Sequence, residues 1–214
     1  MKITLLCSDP IHPVNAHLLR WIELNRGDHN ISLVRTKNEL GSGDVLFMIS
    51  CSEIISSLDR AAYHASLVLH ASDLPLGRGW SPHIWQIIAG ADLITLSLLE
   101  AEDKVDSGRI WKKVRIPVPK HALWDEINVR LFEAEIDLIE FAVREFARIS
   151  PTAQDTTIES TYYPRRLPAD SKIDPAGTIA SQFDKIRVCD PNRFPAYFEL
   201  HGKKYKLTLD EIDD

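Results

Sequence analysis

Short apolar runs alternate with stretches of helical periodicity through most of this chain, and this alternation is what most constrains its fold. The runs predict six strands, at residues 3–7, 31–34, 45–49, 66–69, 93–98 and 110–116. The third run is continuously apolar, which is typical of a strand buried on both faces. Because strands that are separated by helices pair in parallel, we predict an α/β fold with a Rossmann-like, mostly parallel sheet.

Helix signals lie between and after these strands. Helices are predicted at residues 13–27, from residue 54 onward, at residues 82–90 and at residues 123–149. The second is predicted from the capping-box pair Ser50 and Glu53, and the third from Pro82 in the first turn after Ser81. The last one is long and amphipathic, so we expect one of its faces to cover the sheet.

The composition changes after Ser150, and this change predicts how the chain is divided. We expect residues 1–150 to form the catalytic core and residues 151–214 to form a small C-terminal extension. Residues 151–160 are polar and predict a linker or surface loop. The remainder of the extension carries a predicted helix around residues 179–186 and a predicted hairpin of strands 197–200 and 205–209.

Composition and charge narrow the classes of function. Acidic residues outnumber Lys and Arg by 31 to 25, and the net charge of −6 disfavours a nucleic-acid partner. The three cysteines lie far apart without a CxxC pair, so neither a disulfide framework nor a metal site is predicted. The N-terminal apolar run is too short for a signal-peptide core, and no run approaches the ~20 residues of a membrane span. We therefore expect a cytoplasmic protein that needs neither a membrane nor a metal.

One histidine and one aspartate stand where a site in such a sheet is expected. His70 closes the fourth predicted strand, and Asp106 lies in the loop after the fifth, 36 positions later. Ligands of open α/β sheets bind at the carboxyl ends of the strands. A carboxylate beside an imidazole fixes its tautomer and stabilises its protonated form, as a general base requires. The alternative is that His70 is a hydrogen-bonded structural residue.

A longer motif surrounds this pair. Residues 70–75 have the sequence HASDLP, an Arg-Gly pair follows at residues 78–79, and Asp106 begins an Asp-Ser-Gly triplet. Loop, spacing and strand context together resemble the formyltransferases that use 10-formyltetrahydrofolate, a family that includes methionyl-tRNA, glycinamide ribonucleotide and bacterial sugar N-formyltransferases. The resemblance covers most of the first 150 residues. It implies that His70 and Asp106 are catalytic and that 10-formyltetrahydrofolate is the formyl donor, with no metal.

The resemblance also implies which residues bind the folate. These residues are Ser52, Ile54, Leu74, Pro75, Glu102, Asp103 and Val105. Ser52 and Ile54 would flank the pterin, and the backbone of residues 102–105 would hydrogen-bond to its edge. The alternative is that Ser52 and Ile54 are only helix-start and core residues.

One position departs from the pattern of the family. The family has a catalytic asparagine two residues before the histidine, and this chain has Val68 there. That amide helps to hold the formyl oxygen, and losing one such donor costs about 10²–10³ in rate in other enzymes. Three alternatives stay open: another donor substitutes, the enzyme is slow, or the chain is a non-catalytic binding descendant. Candidate substitutes are Ser66, Ser72, His64 and the backbone amides of residues 71–75.

The C-terminal part narrows the choice of acceptor. About 60 residues follow the predicted core, fewer than the basic C-terminal domain of tRNA formyltransferases contains. The turn after the first strand lacks the glycine-rich phosphate loop of glycinamide ribonucleotide formyltransferase. Residues 163–174, 186–188 and 194–198 instead resemble the C-terminal segment of sugar-nucleotide N-formyltransferases. Residues 79–83 resemble short formyltransferase-like proteins associated with pseudaminic-acid-type sugars.

This second resemblance implies that the acceptor is a nucleotide-linked amino sugar. The residues that it assigns to the substrate are Arg78, Trp80, Tyr163, Arg165 and Arg166. Guanidinium groups bind a diphosphate bidentately, and aromatic rings stack on a base or a sugar. One alternative is that Arg165 and Arg166 only pair with Asp170 and Asp174, while the aromatic rings only pack the hairpin onto the core. Another alternative is that the acceptor is a different amine, such as that of charged tRNA. A homodimer is also left open.

Overall fold

A computed structural model describes residues 1–212 and confirms the α/β class. The strands are β1 (Lys2–Leu6), β2 (Asn30–Val34), β3 (Gly43–Met48), β4 (Tyr63–His70), β5 (Arg78–Gly79), β6 (Leu93–Glu100), β7 (Ile110–Pro117), β8 (Tyr162–Tyr163), β9 (Ala196–Leu200) and β10 (Lys203–Leu207). The helices are α1 (Val14–Asn25), α2 (Ser57–Arg60), α3 (Pro82–Ile88), α4 (Trp124–Glu145) and α5 (Ile179–Arg187). Short 3-10 helices lie at Lys37–Glu39 and Pro168–Ser171.

Six strands form the central sheet, in the order β2-β1-β3-β4-β6-β7. β1 pairs in parallel with β2 and β3, and β3 pairs in parallel with β4. β6 runs antiparallel to both β4 and β7. The sheet is therefore mostly parallel, as predicted, and the carboxyl ends of β1, β3 and β4 meet at one edge.

The core lies mainly on one face of the sheet. There a large apolar cluster joins the strands to α1, α3 and α4, and a smaller cluster covers part of the opposite face. β3 contributes to both clusters: Val45 and Phe47 enter the large one, while Leu46 and Met48 enter the small one. The prediction of a strand buried on both faces is confirmed.

Alternation along β4 decides where its polar residues lie. Leu67 and Leu69 enter the large cluster. Because successive side chains of a strand point to opposite faces, Val68 and His70 share the other face. His70 therefore lies on the side of the sheet that is opposite to α1 and α4.

The predicted helix start at Ser50 is wrong. Ser50 has a left-handed φ of 49°, and its hydroxyl lies 3.2 Å from Nε2 of His12. Glu53 accepts a hydrogen bond from the backbone of the neighbouring 3-10 helix. α2 begins later, where the Ser56 hydroxyl accepts the amide of Asp59. Two Ser-x-x-acid sequences compete here, and tertiary contacts occupy the first one.

Other boundaries also differ from the prediction. α4 ends at Glu145, short of residue 149. In the turn that follows, the amides of Arg148 and Ile149 both donate to the Glu145 carbonyl. β10 begins at Lys203, earlier than predicted, since the turn itself needs only His201 and Gly202. Their φ values of 51° and 73° fit the tight hairpin turns that require two positive φ angles.

The residues beyond 150 pack against the sheet and its helices. β8 pairs in parallel with β5, and α5 contacts α3. Arg187 of α5 is 1% exposed and donates to the carbonyl oxygens of Pro119 (3.1 Å) and Ala122 (3.0 Å) and to Oδ1 of Asp184 (2.7 Å). The domain boundary at residue 150 stays a prediction.

Between residues 1 and 212, no helix combines the length and apolarity that crossing a membrane takes.

Candidate active site

His70 and Asp106 lie together at the end of β4. Nδ1 of His70 is 3.5 Å from Oδ1 of Asp106, and the two side chains are 8% and 6% exposed. Nε2 of His70 is 2.9 Å from the carbonyl oxygen of Gly77, in the loop of residues 71–81 that we call the histidine loop. Both ring nitrogens face acceptors, and only a protonated ring has a hydrogen for each. The arrangement suits an imidazole that gains a proton and returns it.

Asp106 reaches this place by a route that the sequence did not predict. Because β6 runs antiparallel to β4, Glu100 at its carboxyl end pairs with Leu67, three residues before His70. Residues 101–109, which we call the aspartate loop, must therefore fold back along β4 by roughly 10 Å. The expectation that both residues follow strands ending at the same edge is wrong, although the two residues do meet.

Two glycines let the backbone close in around Asp106. A Cβ at Gly108 would lie 1.9 Å from the carbonyl oxygen of Glu100, and a Cβ at Gly79 would lie 2.4 Å from that of Tyr163. The amide of Gly79 donates to Oδ2 of Asp106 at 2.9 Å. Asp106 itself has a φ of 55°, which is uncommon for a residue with a Cβ. Glycine is therefore required at both close approaches that fix the carboxylate.

Of the residues predicted to bind the folate, Glu102 lines a cavity of about 250 Å³, whereas Ser52 and Ile54 do not. The cavity lies between α2, the start of β4 and the end of β6, with Glu102 in its wall. Arg60 of α2 donates to the carbonyl oxygen of Ile55 and, at 2.7 Å, to Oδ1 of Asp103. This arginine links the loop after β3 to the aspartate loop and so fixes their separation.

The other predicted folate residues differ in exposure. Leu74 and Pro75 are buried in the histidine loop, whereas Ser52 is exposed in the loop after β3. Ile54 and Val105 are 71% and 48% exposed. The alternative that Ile54 is a core residue is therefore wrong, as is the alternative that Ser52 starts a helix. Uncovered apolar side chains of this kind are available for contact with a flat ring.

Aromatic and basic residues predicted for the substrate meet on one side of the histidine loop. The guanidinium of Arg165 lies over the ring of Trp80, 5.0 Å from its centroid. Tyr163 stacks on Trp85 at 6.5 Å between centroids. Because Tyr163 belongs to β8, the pairing of β8 with β5 is what brings these groups together.

Arg166 contacts Ser171, and not the aspartates Asp170 and Asp174 that the sequence offered as partners. Its Nη2 donates to the hydroxyl of Ser171 at 3.0 Å, and its Nε is buried without a partner. In the described part of the chain, neither Arg165 nor Arg166 pairs with Asp170 or Asp174, so that alternative is wrong. Arg166 therefore keeps an unassigned donor.

Arg78 is buried rather than open to solvent. It is 6% exposed, its Nη2 donates to Oε1 of Gln154 at 2.8 Å, and its Nη1 lies 3.5 Å from the Tyr162 hydroxyl. Its predicted contact with the substrate stays a prediction. Sequence reasoning missed Gln154, because a single glutamine in a polar segment carries no local signal.

Sequence reasoning also missed two further imidazoles, His83 near His70 and His12 near His83. His83, in the first turn of α3, is partly exposed, but its Nδ1 is buried without a partner. Burial, together with the nearby His70 and Arg166, lowers the pKa of His83 to about 3. Burial and the nearby Arg193 lower the pKa of His12 to about 4. Both rings are neutral at pH 7 and add hydrogen-bonding groups without adding charge.

Val68 occupies the position of the family's asparagine and lies on the same face of β4 as His70. It is partly buried against the small apolar cluster. Of the substitutes considered, His64 contacts Oδ1 of Asp44 at 3.2 Å. The hydroxyls of Ser66 and Ser72 are buried without a partner, so these two donors remain unassigned.

Within residues 1–212, no three His, Cys, Asp or Glu side chains are grouped as metal ligands.

Comparison of sequences finds methionyl-tRNA formyltransferases. The one from Ruegeria pomeroyi is 29% identical over 158 residues, which cover 72% of this chain and 50% of the relative. The one from Desulfotalea psychrophila is 30% identical over 152 residues, which cover 67% of this chain and 45% of the relative. The chain thus spans about half the length of the curated relatives that it matches. No family model matches the chain.

Comparison of structures finds the same fold. Methionyl-tRNA formyltransferase from Clostridium thermocellum has a TM-score of 0.84 at 22% identity, over 100% of this chain and 94% of that chain. A sugar N-formyltransferase from Shewanella has a TM-score of 0.73 at 17% identity, over 100% and 99% of the two chains. HypX from Aquifex aeolicus in complex with tetrahydrofolic acid has a TM-score of 0.78 at 20% identity, over 95% and 36%.

The two kinds of comparison agree. The sequence relatives are named formyltransferases, which are enzymes, and the structural neighbours include formyltransferases that match this chain over its whole length. The predicted formyltransferase fold is confirmed. This chain therefore has the formyltransferase fold and is similar in sequence to methionyl-tRNA formyltransferases.

Proposed function

We propose that this chain is an enzyme that moves a formyl group from 10-formyltetrahydrofolate to the amino group of a nucleotide-linked amino-deoxysugar. The observation that carries the proposal is the buried His70–Asp106 pair, 3.5 Å apart, beside the HASDLP loop of a formyltransferase fold. The resemblance at residues 79–83 supports a pseudaminic-acid-type sugar as the acceptor. The cytoplasm as its location and a homodimer as its assembly stay predictions.

The geometry of the pair indicates how His70 would move a proton. When bound, 10-formyltetrahydrofolate would supply the formyl carbon. The neutral amine of the acceptor would attack this carbon, its bond to N10 of the folate would break, and N10 would take up the proton that His70 had received from the amine. The contact of Nε2 with the Gly77 carbonyl, at 2.9 Å, is shorter than the 3.5 Å contact of Nδ1 with Asp106. The ring nitrogen that lacks a hydrogen in the neutral imidazole is the one that would take the proton of the amine. Once protonated, Nδ1 faces Oδ1 of Asp106, which stabilises the imidazolium.

The cavity beside Glu102 supports the folate part of the proposal. Its volume of about 250 Å³ suits one ring system rather than a whole donor molecule, since complete ligand pockets reach roughly 300–1,000 Å³. Arg60 lines this cavity and also contacts Asp103 of the aspartate loop. Ile54 and Val105, which do not line this cavity, are exposed apolar side chains. HypX, which shares the fold, was solved with tetrahydrofolic acid.

Unassigned basic groups support an anionic acceptor. Arg165 lies over Trp80, and the Nε of Arg166 is buried without a partner, so both are available to a nucleotide diphosphate. A sugar N-formyltransferase and a methionyl-tRNA formyltransferase both match the whole of this chain, so the structural comparison does not choose between their acceptors. The second candidate acceptor is the amine of charged tRNA, which the sequence relatives favour and the net charge of −6 disfavours.

The test is consumption of 10-formyltetrahydrofolate by the purified protein with a nucleotide-linked 4-amino sugar, with charged initiator tRNA, or with no acceptor. We expect a formylated sugar, detected by mass spectrometry, and no formylated tRNA. His70→Ala and Asp106→Asn should each lower kcat by about 10²–10⁴-fold because proton transfer is lost. The exposed His121→Ala serves as the control and should leave kcat unchanged. Equal rates for the wild type and His70→Ala would overturn the catalytic assignment.

Because Val68 replaces the family's catalytic asparagine, a second candidate function is not enzymatic. The protein would then bind folate or a sugar nucleotide without turnover. Such a protein would gain thermal stability with either ligand and yield no product. Thermal unfolding with each ligand, run beside the activity assay, separates the two. Detection of a formylated sugar excludes the binder.

A further inference from the structure

Residues 152–163 form a segment that joins the two loops of the site, and we call it the strap. Near its start, Thr152 exchanges two backbone hydrogen bonds with Ile110, of 2.7 and 2.9 Å, next to the aspartate loop. Near its end, the Thr161 hydroxyl accepts the amide of Gly77 at 2.8 Å, and β8 pairs with β5 in the histidine loop. The strap is therefore fixed at both ends.

Gln154 lies between these two ends and uses its whole amide. Its Nε2 donates to the carbonyl oxygens of Asp106 (2.8 Å) and Gly108 (2.9 Å). Its Oε1 accepts from Nη2 of Arg78 at 2.8 Å. Because carbonyl oxygens only accept and a guanidinium only donates, the three partners fix which way the amide points. No other side chain of this length offers donors on one side and an acceptor on the other.

The backbone that Gln154 holds needs an outside support. Asp106 has a left-handed φ of 55°, and such conformations persist where the surroundings enforce them. The two carbonyl groups bound by Gln154 flank Ser107, whose own hydroxyl donates to the carbonyl of Lys104 at 2.7 Å. The amide therefore braces the turn that presents the Asp106 carboxylate.

The histidine loop meets the same turn from the other side. The amide of Gly79 donates to Oδ2 of Asp106, while the adjacent Arg78, 6% exposed, donates to Gln154. The carboxylate of Asp106 is thus bound by the histidine loop and its carbonyl by the strap. Arg78 ties those two supports to each other.

We infer that Gln154 is a positioning residue, which holds Asp106 where its carboxylate orients His70, and that Arg78 acts through it. The inference rests on the proposed function. It adds the strap to the histidine loop and the aspartate loop as a part of the chain on which turnover depends. Gln154 does not line the cavity assigned to folate. Its loss should therefore lower kcat and leave KM for the folate nearly unchanged.

Two substitutions separate the parts of this interaction. Gln154→Met keeps the length of the side chain and removes every hydrogen bond, while Gln154→Glu keeps the acceptor for Arg78 and loses both donors. Each should lower kcat by about 10²-fold, the effect of small displacements of catalytic groups, with KM within threefold of wild type. The exposed Glu159→Gln, on the same strap, is the matched control.

A second measurement does not depend on activity. In protein labelled with ¹⁵N-histidine, the Nδ1 signal of His70, assigned with His70→Gln, reports its contact with Asp106. We expect Gln154→Met and Gln154→Glu to shift this signal toward that of Asp106→Asn, while the amide spectrum of the sheet is retained. If Gln154→Met does not fold, Gln154→Glu, which keeps the Arg78 contact, carries the comparison.

The outcomes are separable. Folded Gln154 variants with wild-type kcat and an unchanged His70 signal would overturn the inference. If the wild type itself transfers no formyl group, the proposed function fails. The His70 signal then still decides whether Gln154 holds the pair.

Discussion

At the scale of single residues, Glu135 is a carboxyl group on the face of α4 that packs into the core. It is 5% exposed, and its Oε2 has no hydrogen-bond partner. Burial raises the pKa of Glu135 from 4.5 to about 8. Between these two values the folded chain keeps a proton that the unfolded chain has lost. The stability therefore falls as the pH rises through this window.

Glu135→Gln is expected to raise the free energy of unfolding by about 1–3 kcal/mol at pH 8, because a neutral amide avoids the burial of a charge. At pH 5, where the folded carboxyl is protonated, the gain should nearly vanish. Urea unfolding at both pH values measures this, with the exposed Glu133→Gln as the control. A loss of stability at pH 8 would contradict the prediction.

Val68 allows a direct test of the missing amide. Val68→Asn should raise kcat by about 10-fold or more, since one oxyanion donor is worth 10²–10³ in other enzymes. It should also lower Tm, because an amide replaces an apolar group at the small cluster. Steady-state kinetics measure the gain, and Val68→Thr, of similar shape, is the control. No gain would indicate that another group already supplies the donor.

At the scale of elements, local patterns predicted what local forces decide. The apolar run of β3 and the Pro82 start of α3 each determine their own element, and both elements are found. β3 runs from Gly43 to Met48, and the Ser81 side chain makes no cap. α2 was misplaced because His12, distant in sequence, engages Ser50. The direction of β6 was missed for a related reason. An apolar run shows that a strand is buried, but its antiparallel pairing depends on how the intervening chain returns.

Arg187 supports a prediction about how α5 is attached. Arg187→Met should lower the free energy of unfolding by about 2–3 kcal/mol, because the carbonyls of Pro119 and Ala122 lose their buried donor. Urea unfolding measures the loss, and Lys206→Met on exposed β10 is the control. A change no larger than that of the control would show that α5 is held by its apolar contacts alone.

At the scale of the whole molecule, the candidate site was predicted only in part. The spacing of His70 and Asp106 within a known motif was sufficient to pair them. Gln154 was not predictable, because it stands 48 positions from Asp106 and 76 from Arg78, and no periodicity links such distances. The two loops carry motifs, whereas the segment that joins them is recognised only by its hydrogen bonds.

The position of the strap in the chain has a consequence for the order of events during synthesis. Both loops leave the ribosome before residues 152–163 do, and domains begin to fold from the N-terminal side as they emerge. A nascent chain can therefore contain the whole six-stranded sheet while the turn at Asp106 still lacks its brace. The candidate site becomes complete only after Gln154 and β8 have also been synthesised and have reached the loops.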